Sequence, residues 1–198
     1  MFRRHLLMLA TVIGFALAAA SASGANPQVD LDTTAGKIRL ELSPDAAPQT
    51  VENFLAYVKA KHYDGTQFHR VIAGFMIQGG GYAADFSQKP TRAPIKNEAE
   101  QSSKAGLQNV AGTIAMARTG DPNSATAQFF INVAANKSLN FRDPSPGGVG
   151  YTVFGKVVSG MDVVDKIAKT PTGAGGPFPT DVPLERVLIK SATVVGAP

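Results

Sequence analysis

Residues Phe68 to Gly81, FHRVIAGFMIQGGG, bring a His-Arg pair, a bulky apolar run, a single Gln and three glycines into one short stretch. Two chemistries suit that composition. A guanidinium held against apolar surface is less hydrated and donates hydrogen bonds more effectively, so Arg70 fits a reaction in which a lone pair or negative charge develops. The apolar run fits a pocket. On simple strand alternation Phe68 and Arg70 share one face and His69 and Val71 the other, which sets Arg70 beside a large aromatic. Gln78, and Gln128 in the run AQFFINV, sit inside apolar, strand-like stretches. An unsatisfied amide there costs about 1–3 kcal/mol, so each needs a hydrogen-bond partner. Phe75, Met76, Phe129, Phe130 and Leu139 read on composition as core residues; the polar neighbours Gln78 and Gln128 point instead to a slot with apolar walls and a few fixed polar groups, as peptide binding requires.

Other chemistries are poorly supplied. The chain has no cysteine and three histidines, His5, His62 and His69, which leaves no thiol chemistry and little material for a metal site. Cofactor-free chemistry is therefore expected. The triplet Gly79–Gly81 is followed by Tyr82, not by the Lys-Ser/Thr of a phosphate loop, and reads as a turn. His69 has no Ser, Cys or Asp at nucleophile spacing, and reads as a polar residue satisfied by local hydrogen bonds.

The elements that must position these residues begin after a leader. Residues 1–25 combine Arg3 and Arg4, an apolar run from Leu6 to Ala20 and a small-residue end, the pattern of a cleaved export signal. The run is shorter than the ~20 residues of a spanning helix. The cut is expected before Ser23 or before Asn26, leaving residues 26–198 as one domain. The leader holds two of the 19 Lys and Arg and none of the 15 Asp and Glu, so the remainder is only slightly basic. No basic block or helix points to nucleic acid or to lasting membrane association.

Strands are expected over Val29–Thr33, Lys37–Leu42, Gln67–Val71, Phe75–Gln78, Thr113–Ala117, Phe129–Val133, Val153–Val157 and Arg186–Val195. Pro48 suits the first turn of a helix, and Val51, Phe54, Leu55 and Val58 follow at helical spacing, with Glu52, Asn53 and Lys59 off the stripe. That predicts a helix over Pro48–Ala60, and a second is predicted over Met161–Ala168. Many short strands and two helices favour a closed, mainly β structure over a doubly wound sheet. The excursions Gly79–Gly112, Asn136–Gly150 and Thr170–Pro183 read as loops around a site.

Five blocks in fixed order carry a resemblance: TVENFLAYV (Thr50–Val58), FHRVIAGFMIQGG (Phe68–Gly80), GTIAMAR (Gly112–Arg118), SATAQFFINV (Ser124–Val133) and VFGKVVSGMDVVDKI (Val153–Ile167). Through them the chain resembles the cyclophilins, peptidyl-prolyl cis-trans isomerases, and within them the exported bacterial branch. The resemblance implies a closed eight-stranded antiparallel β-barrel capped by two α-helices, with a groove on its outer face for an Xaa-Pro segment. It implies Arg70, Phe75 and Gln78 as catalytic, and Met76, Ala117, Arg118, Gln128, Phe130, Leu139 and Tyr151 as substrate-binding. It also implies a monomer without cofactor or metal, acting on proline-containing unfolded or flexible polypeptides; with the leader it places the chain in the periplasm, secretion beyond it being the alternative. Two positions depart from the family pattern. Ser138 stands where many members have Trp, which implies weak cyclosporin binding, and Tyr151 stands where many have His. Two further readings of the residues are a peptide-binding chaperone on the same scaffold and a barrel carrying a small ligand. The many large apolar residues expected to point inward disfavour the second.

Overall fold

The computed structural model describes residues 25–195; the expected leader, apart from its last residue, lies outside the described residues. In chain order the elements are β1 (Gln28–Thr33), β2 (Lys37–Leu42), α1 (Pro48–Lys59), β3 (Thr66–Ile72), β4 (Met76–Ala83), α2 (Ala99–Lys104), β5 (Thr113–Met116) and β6 (Phe129–Asn132). A 3₁₀ turn, Lys137–Leu139, precedes β7 (Val153–Ser159), α3 (Met161–Ala168), β8 (Thr172–Gly175), β9 (Phe178–Pro183) and β10 (Leu188–Val195).

Eight strands close into an antiparallel barrel in the order β1-β10-β3-β4-β6-β5-β7-β2, while β8 and β9 form a separate two-stranded sheet. The barrel and the two longer helices match the expected architecture. The loops do not stay structureless: α2 lies within the stretch 79–112, and the β8–β9 hairpin lies within 170–183. Neither was legible, because α2 is a polar six-residue turn and the hairpin sequence TGAGGPFPTDVP has no apolar alternation.

Period-two alternation sorts the barrel wall into an inside and an outside. Ile77, Ile114, Met116, Phe129 and Ile131 join the central core with Val29, Leu31, Ile38, Leu40 and Phe154. Their neighbours Met76, Ala115, Phe130 and Val153 form a second apolar cluster with Phe75, Leu139 and Tyr151. The sheet is thus the lining of a filled barrel on one side and the base of a groove on the other. Val51, Phe54 and Val58 of α1 and Val164, Ile167 and Ala168 of α3 pack on the central core. Asn53, expected off the helix stripe, is buried as well, and its Nδ2 donates to the Thr126 carbonyl over 2.7 Å.

The Gly triplet lies inside β4 rather than in a turn. A Cβ at Gly80, whose φ is +85°, would stand 2.9 Å from Tyr63 and 3.0 Å from Phe129; one at Gly81 would stand 2.6 Å from Gln128. Glycine lets the strand lie against two aromatics on one side and lets Gln128 lie flat on the other.

The start of α1 is capped from a distance. Its N-cap, Ala47, offers no side-chain acceptor. The Glu98 carboxylate accepts the N–H of Gln49 (3.1 Å), the N–H of Thr50 (2.8 Å) and the Thr50 hydroxyl (2.7 Å). A negative group there satisfies orphan donors and meets the positive end of the helix dipole. Glu98→Ala is expected to lower stability by about 1–2 kcal/mol, read as an earlier midpoint in urea. An unmoved midpoint would show that water replaces the cap without loss.

Candidate active site

The register places four site residues in one line across the wall. Arg70 of β3 faces Gln78 of β4, Gln78 faces Phe130 of β6, and Phe130 faces Ala115 of β5. Directly opposed residues in antiparallel strands lie about 4.5–5.5 Å apart, so a cation, an amide and an aromatic ring succeed one another at that spacing. Above this line lies a cavity of about 250 Å³. Of the residues named from sequence, Arg70, Phe75, Gln78, Ala117, Arg118, Gln128, Phe130, Leu139 and Tyr151 line it. Met76 does not: at 2% exposure it lies beneath the surface of the same apolar cluster, packed into the base rather than facing the cavity.

Each group has a local reason for its place. Gln78 Nε2 donates to Gln128 Oε1 over 2.9 Å, so the two amides satisfy each other. The Arg118 guanidinium lies 4.4 Å from the centre of the Tyr151 ring, and its Nε donates to the Gly150 carbonyl. Tyr151 in turn meets Phe130 edge-on, centroids 5.7 Å apart. A cation on an aromatic on an aromatic makes one side of the cavity a stack. The Ala117 N–H donates to the Gln128 carbonyl, and Arg118 follows beyond the end of β5. Tyr151 N–H donates to the Leu139 carbonyl, which fixes these two walls across the 140–150 loop. Ser138 is exposed and is not part of the cavity lining.

Phe75 and Leu139 are held from behind by buried asparagines. Asn136 Nδ2 donates to the Phe75 carbonyl (2.8 Å) and to Asn132 Oδ1 (2.7 Å). Asn132 Nδ2 donates to Asn109 Oδ1 and to Thr113 Oγ1, and Asn109 Nδ2 to the Leu139 carbonyl. Sequence reasoning missed this network because a lone Asn near a Gly reads as loop. The signal that could have found it was Asn132 ending an apolar run, where a polar group needs a partner.

Simple alternation misplaced one residue. The β3–β4 register shifts between Phe68 and Arg70, so Phe68 and Val71 both point into the central core while Arg70 faces out. A bulge inserts a residue and changes the phase of the strand, which re-aims the side chain beyond it. His69 consequently lines the cavity, together with Tyr82 and Phe178, none of which was named as a site residue from sequence.

The local hydrogen bonds expected of His69 do not reach its Nδ1, which has no partner among the described residues, although the Gln67 backbone and the Gln128 amide lie near enough to favour the protonated ring. Its ring packs on Tyr82 at 4.7 Å and Phe178 at 5.3 Å. Burial, aided by the nearby Arg70 charge, pushes its imidazole down to about 4. The ring is therefore neutral in the folded protein at neutral pH and takes up a proton more readily when unfolded, near the ordinary histidine value of 6.5. The unfolded state then binds more protons between pH 6.5 and about 4, so stability falls as pH drops through that window. The loss attributable to His69 is expected to reach about 3 kcal/mol at most, and His69→Gln should flatten that part of a stability-against-pH curve. An unchanged slope would assign the acid sensitivity to other groups.

A closed antiparallel barrel bearing an apolar, peptide-sized slot on its outer wall, with an arginine at its edge, is the arrangement that the resemblance to barrel-type prolyl isomerases implied. The comparisons agree. The family described as "Cyclophilin type peptidyl-prolyl cis-trans isomerase/CLD" matches residues 28–194, and the chain belongs to that family. It is 56% identical over 168 residues to a peptidyl-prolyl cis-trans isomerase of Streptomyces antibioticus, covering 85% of this chain and 98% of that one. It is 47% identical over 196 residues to peptidyl-prolyl cis-trans isomerase A of Dickeya dadantii, covering 98% and 99%. Among solved structures it resembles a Cryptosporidium parvum cyclophilin-type isomerase, crystallised in the presence of the dipeptide Ala-Pro. That match has a TM-score of 0.66 at 25% identity and covers 86% of this chain and 99% of the other. The protein is thus an enzyme of the peptidyl-prolyl cis-trans isomerase class.

Proposed function

We propose that the chain accelerates rotation about Xaa-Pro bonds in unfolded or flexible exported polypeptides and so assists their folding, without a covalent intermediate. Rotation is opposed by a barrier of about 18–20 kcal/mol, because the nitrogen lone pair is shared with the carbonyl. The two isomers differ by only about 0.5–1 kcal/mol, so the obstacle is kinetic. In the twisted state conjugation is lost and the prolyl nitrogen becomes a better acceptor.

Arg70 donates a hydrogen bond to that nitrogen, an interaction stronger at the twisted geometry than at either planar one, which is the differential binding that catalysis needs. Phe75, Phe130 and Leu139 grip the pyrrolidine ring, with Met76 supporting them from below. Gln78 and Gln128, already paired, present their remaining amide capacity to the carbonyl before proline. The strand end at Ala117 and Arg118 holds the peptide backbone, and Tyr151 closes the slot. No cofactor or metal takes part.

The observation that carries this reading is the cross-strand line Arg70, Gln78, Phe130, which fixes a donor and an apolar slot on one rigid wall. The Ala-Pro dipeptide named with the solved relative supports a proline-containing ligand. Residues 1–25, cut before Ser23 or Asn26, act as the export signal and leave residues 26–198 as a monomeric periplasmic domain. The test is an isomer-specific assay on a proline peptide with the chain from Asn26, joined to a proline-limited refolding reaction. Acceleration of both is expected, and a folded chain that accelerates neither would refute the proposal. Fractionation of cells making the full chain would place the processed form in the periplasm or elsewhere.

A further inference from the structure

The β8–β9 hairpin is an annex outside the barrel, yet it carries a carboxylate to the edge of the cavity. Asp181 Oδ2 lies 3.7 Å from Arg70 Nε. Two irregularities are aimed at each other to produce that contact. The first is the bulge in β3 that turns Arg70 outward. The second is in the hairpin, where Gly173 pairs with Val182 and Gly175 with Phe178, so residues 179–181 stand opposite Ala174 alone. Asp181 sits within this second bulge at φ +67°, a left-handed conformation that a residue with a side chain adopts at a cost and that recurs at functional sites.

The hairpin is fastened, so the carboxylate is not on a loose arm. Phe178 packs on His69 and Tyr82, with centroids 5.3 and 5.1 Å apart. Phe86 lies so close beneath the turn that a Cβ at Gly176 would stand 2.3 Å from its ring. Arg70, by contrast, needs a restraint. Its side chain is 44% exposed, and among the described residues its guanidinium makes no hydrogen bond to its cross-strand partner Gln78, whose Nε2 donates to Gln128. At 3.7 Å the approach to Asp181 is longer than a hydrogen bond, so it directs the guanidinium without consuming its donors.

We propose that Asp181 is a positioning residue for Arg70: it tethers the guanidinium through Nε at the cavity mouth and leaves the terminal nitrogens for substrate. This rests on the role given to Arg70 under the proposed function. Strain at position 181 is then kept because glycine, which would fit the backbone better, could not supply the charge.

The test uses Asp181→Gly and Asp181→Asn. Both are expected to lower kcat about three- to five-fold, the range of a half-exposed ion pair, with little change in KM. Thermal stability should hold or rise in Asp181→Gly, since the left-handed backbone suits glycine. Nitrogen relaxation at Arg70 Nε should report a more mobile side chain in both variants, a readout that does not depend on activity. In an Arg70→Ala background the same substitutions should change nothing further. Parental kcat together with an Arg70 Nε as ordered as in the parent would overturn the tether, as would an equal loss of kcat in the Arg70→Ala background. An inactive parent would instead overturn the proposed function, leaving the relaxation measurement to decide the tether alone.

Discussion

Arg70→Ala is expected to lower kcat/KM for an Xaa-Pro peptide by about 100- to 1,000-fold while the protein stays folded. The magnitude is that of losing one preorganised donor aimed at a developing acceptor. The fold should persist because the side chain is 44% exposed and its one ion pair is loose, so removing it leaves neither a core void nor a buried charge without a partner. Arg70→Lys should recover little: an ammonium is strongly hydrated and lacks the planar fork that points donors in fixed directions. Isomer-specific turnover measured beside the far-ultraviolet spectrum and melting midpoint would decide the matter. A folded Arg70→Ala protein with near-parental turnover would remove Arg70 from the chemistry.

The second large effect separates two adjacent phenylalanines. Phe130 is 4% exposed and faces the cavity, whereas Phe129 is fully buried among Phe54, Tyr63 and Phe68. Phe130→Ala removes the ring against which the pyrrolidine would rest, so KM should rise and kcat fall, with a combined loss of about ten-fold or more. Some stability is lost too, since the ring also packs on Tyr151. Phe129→Ala should instead cost about 3–5 kcal/mol of stability, and whatever remains folded should keep its KM. If the two variants gave the same pattern, the assignment of these neighbours to opposite faces of β6 would be wrong.

The resemblance singled out Phe130, but no period in the sequence separates it from Phe129, because Phe129, Phe130 and Ile131 form one apolar run. Ile77, Ile114, Phe129 and Ile131 face inward, against Gln78, Ala115 and Phe130 facing out. The apolar period placed α1 and α3 almost to the residue. What stayed hidden shares a physical cause: information held in backbone irregularity and not in periodicity. The bulge at Phe68–Arg70 reversed the expected partnership of those side chains, and only the register of β3 on β4 reveals it. The hairpin bearing Phe178 and Asp181 is built from Gly and Pro turns without apolar alternation, and Phe178 packs on His69 of the barrel wall. The asparagine network joins positions 109, 132 and 136, each unremarkable alone. Nine of the ten residues named for the site thus line one cavity, while the groups that hold them in place went unnamed.

The pairing of β1 with β10, Gln28 opposite Val195, has a consequence for the birth of the molecule. Among the described residues the first strand has as one of its two neighbours the last, so the seam between them stays open until β10 has been made. Contacts so distant along the chain are slow to form, because closing the intervening length costs entropy before any contact repays it. Until β10 is available β1 presents one unpaired edge, a template for wrong pairing.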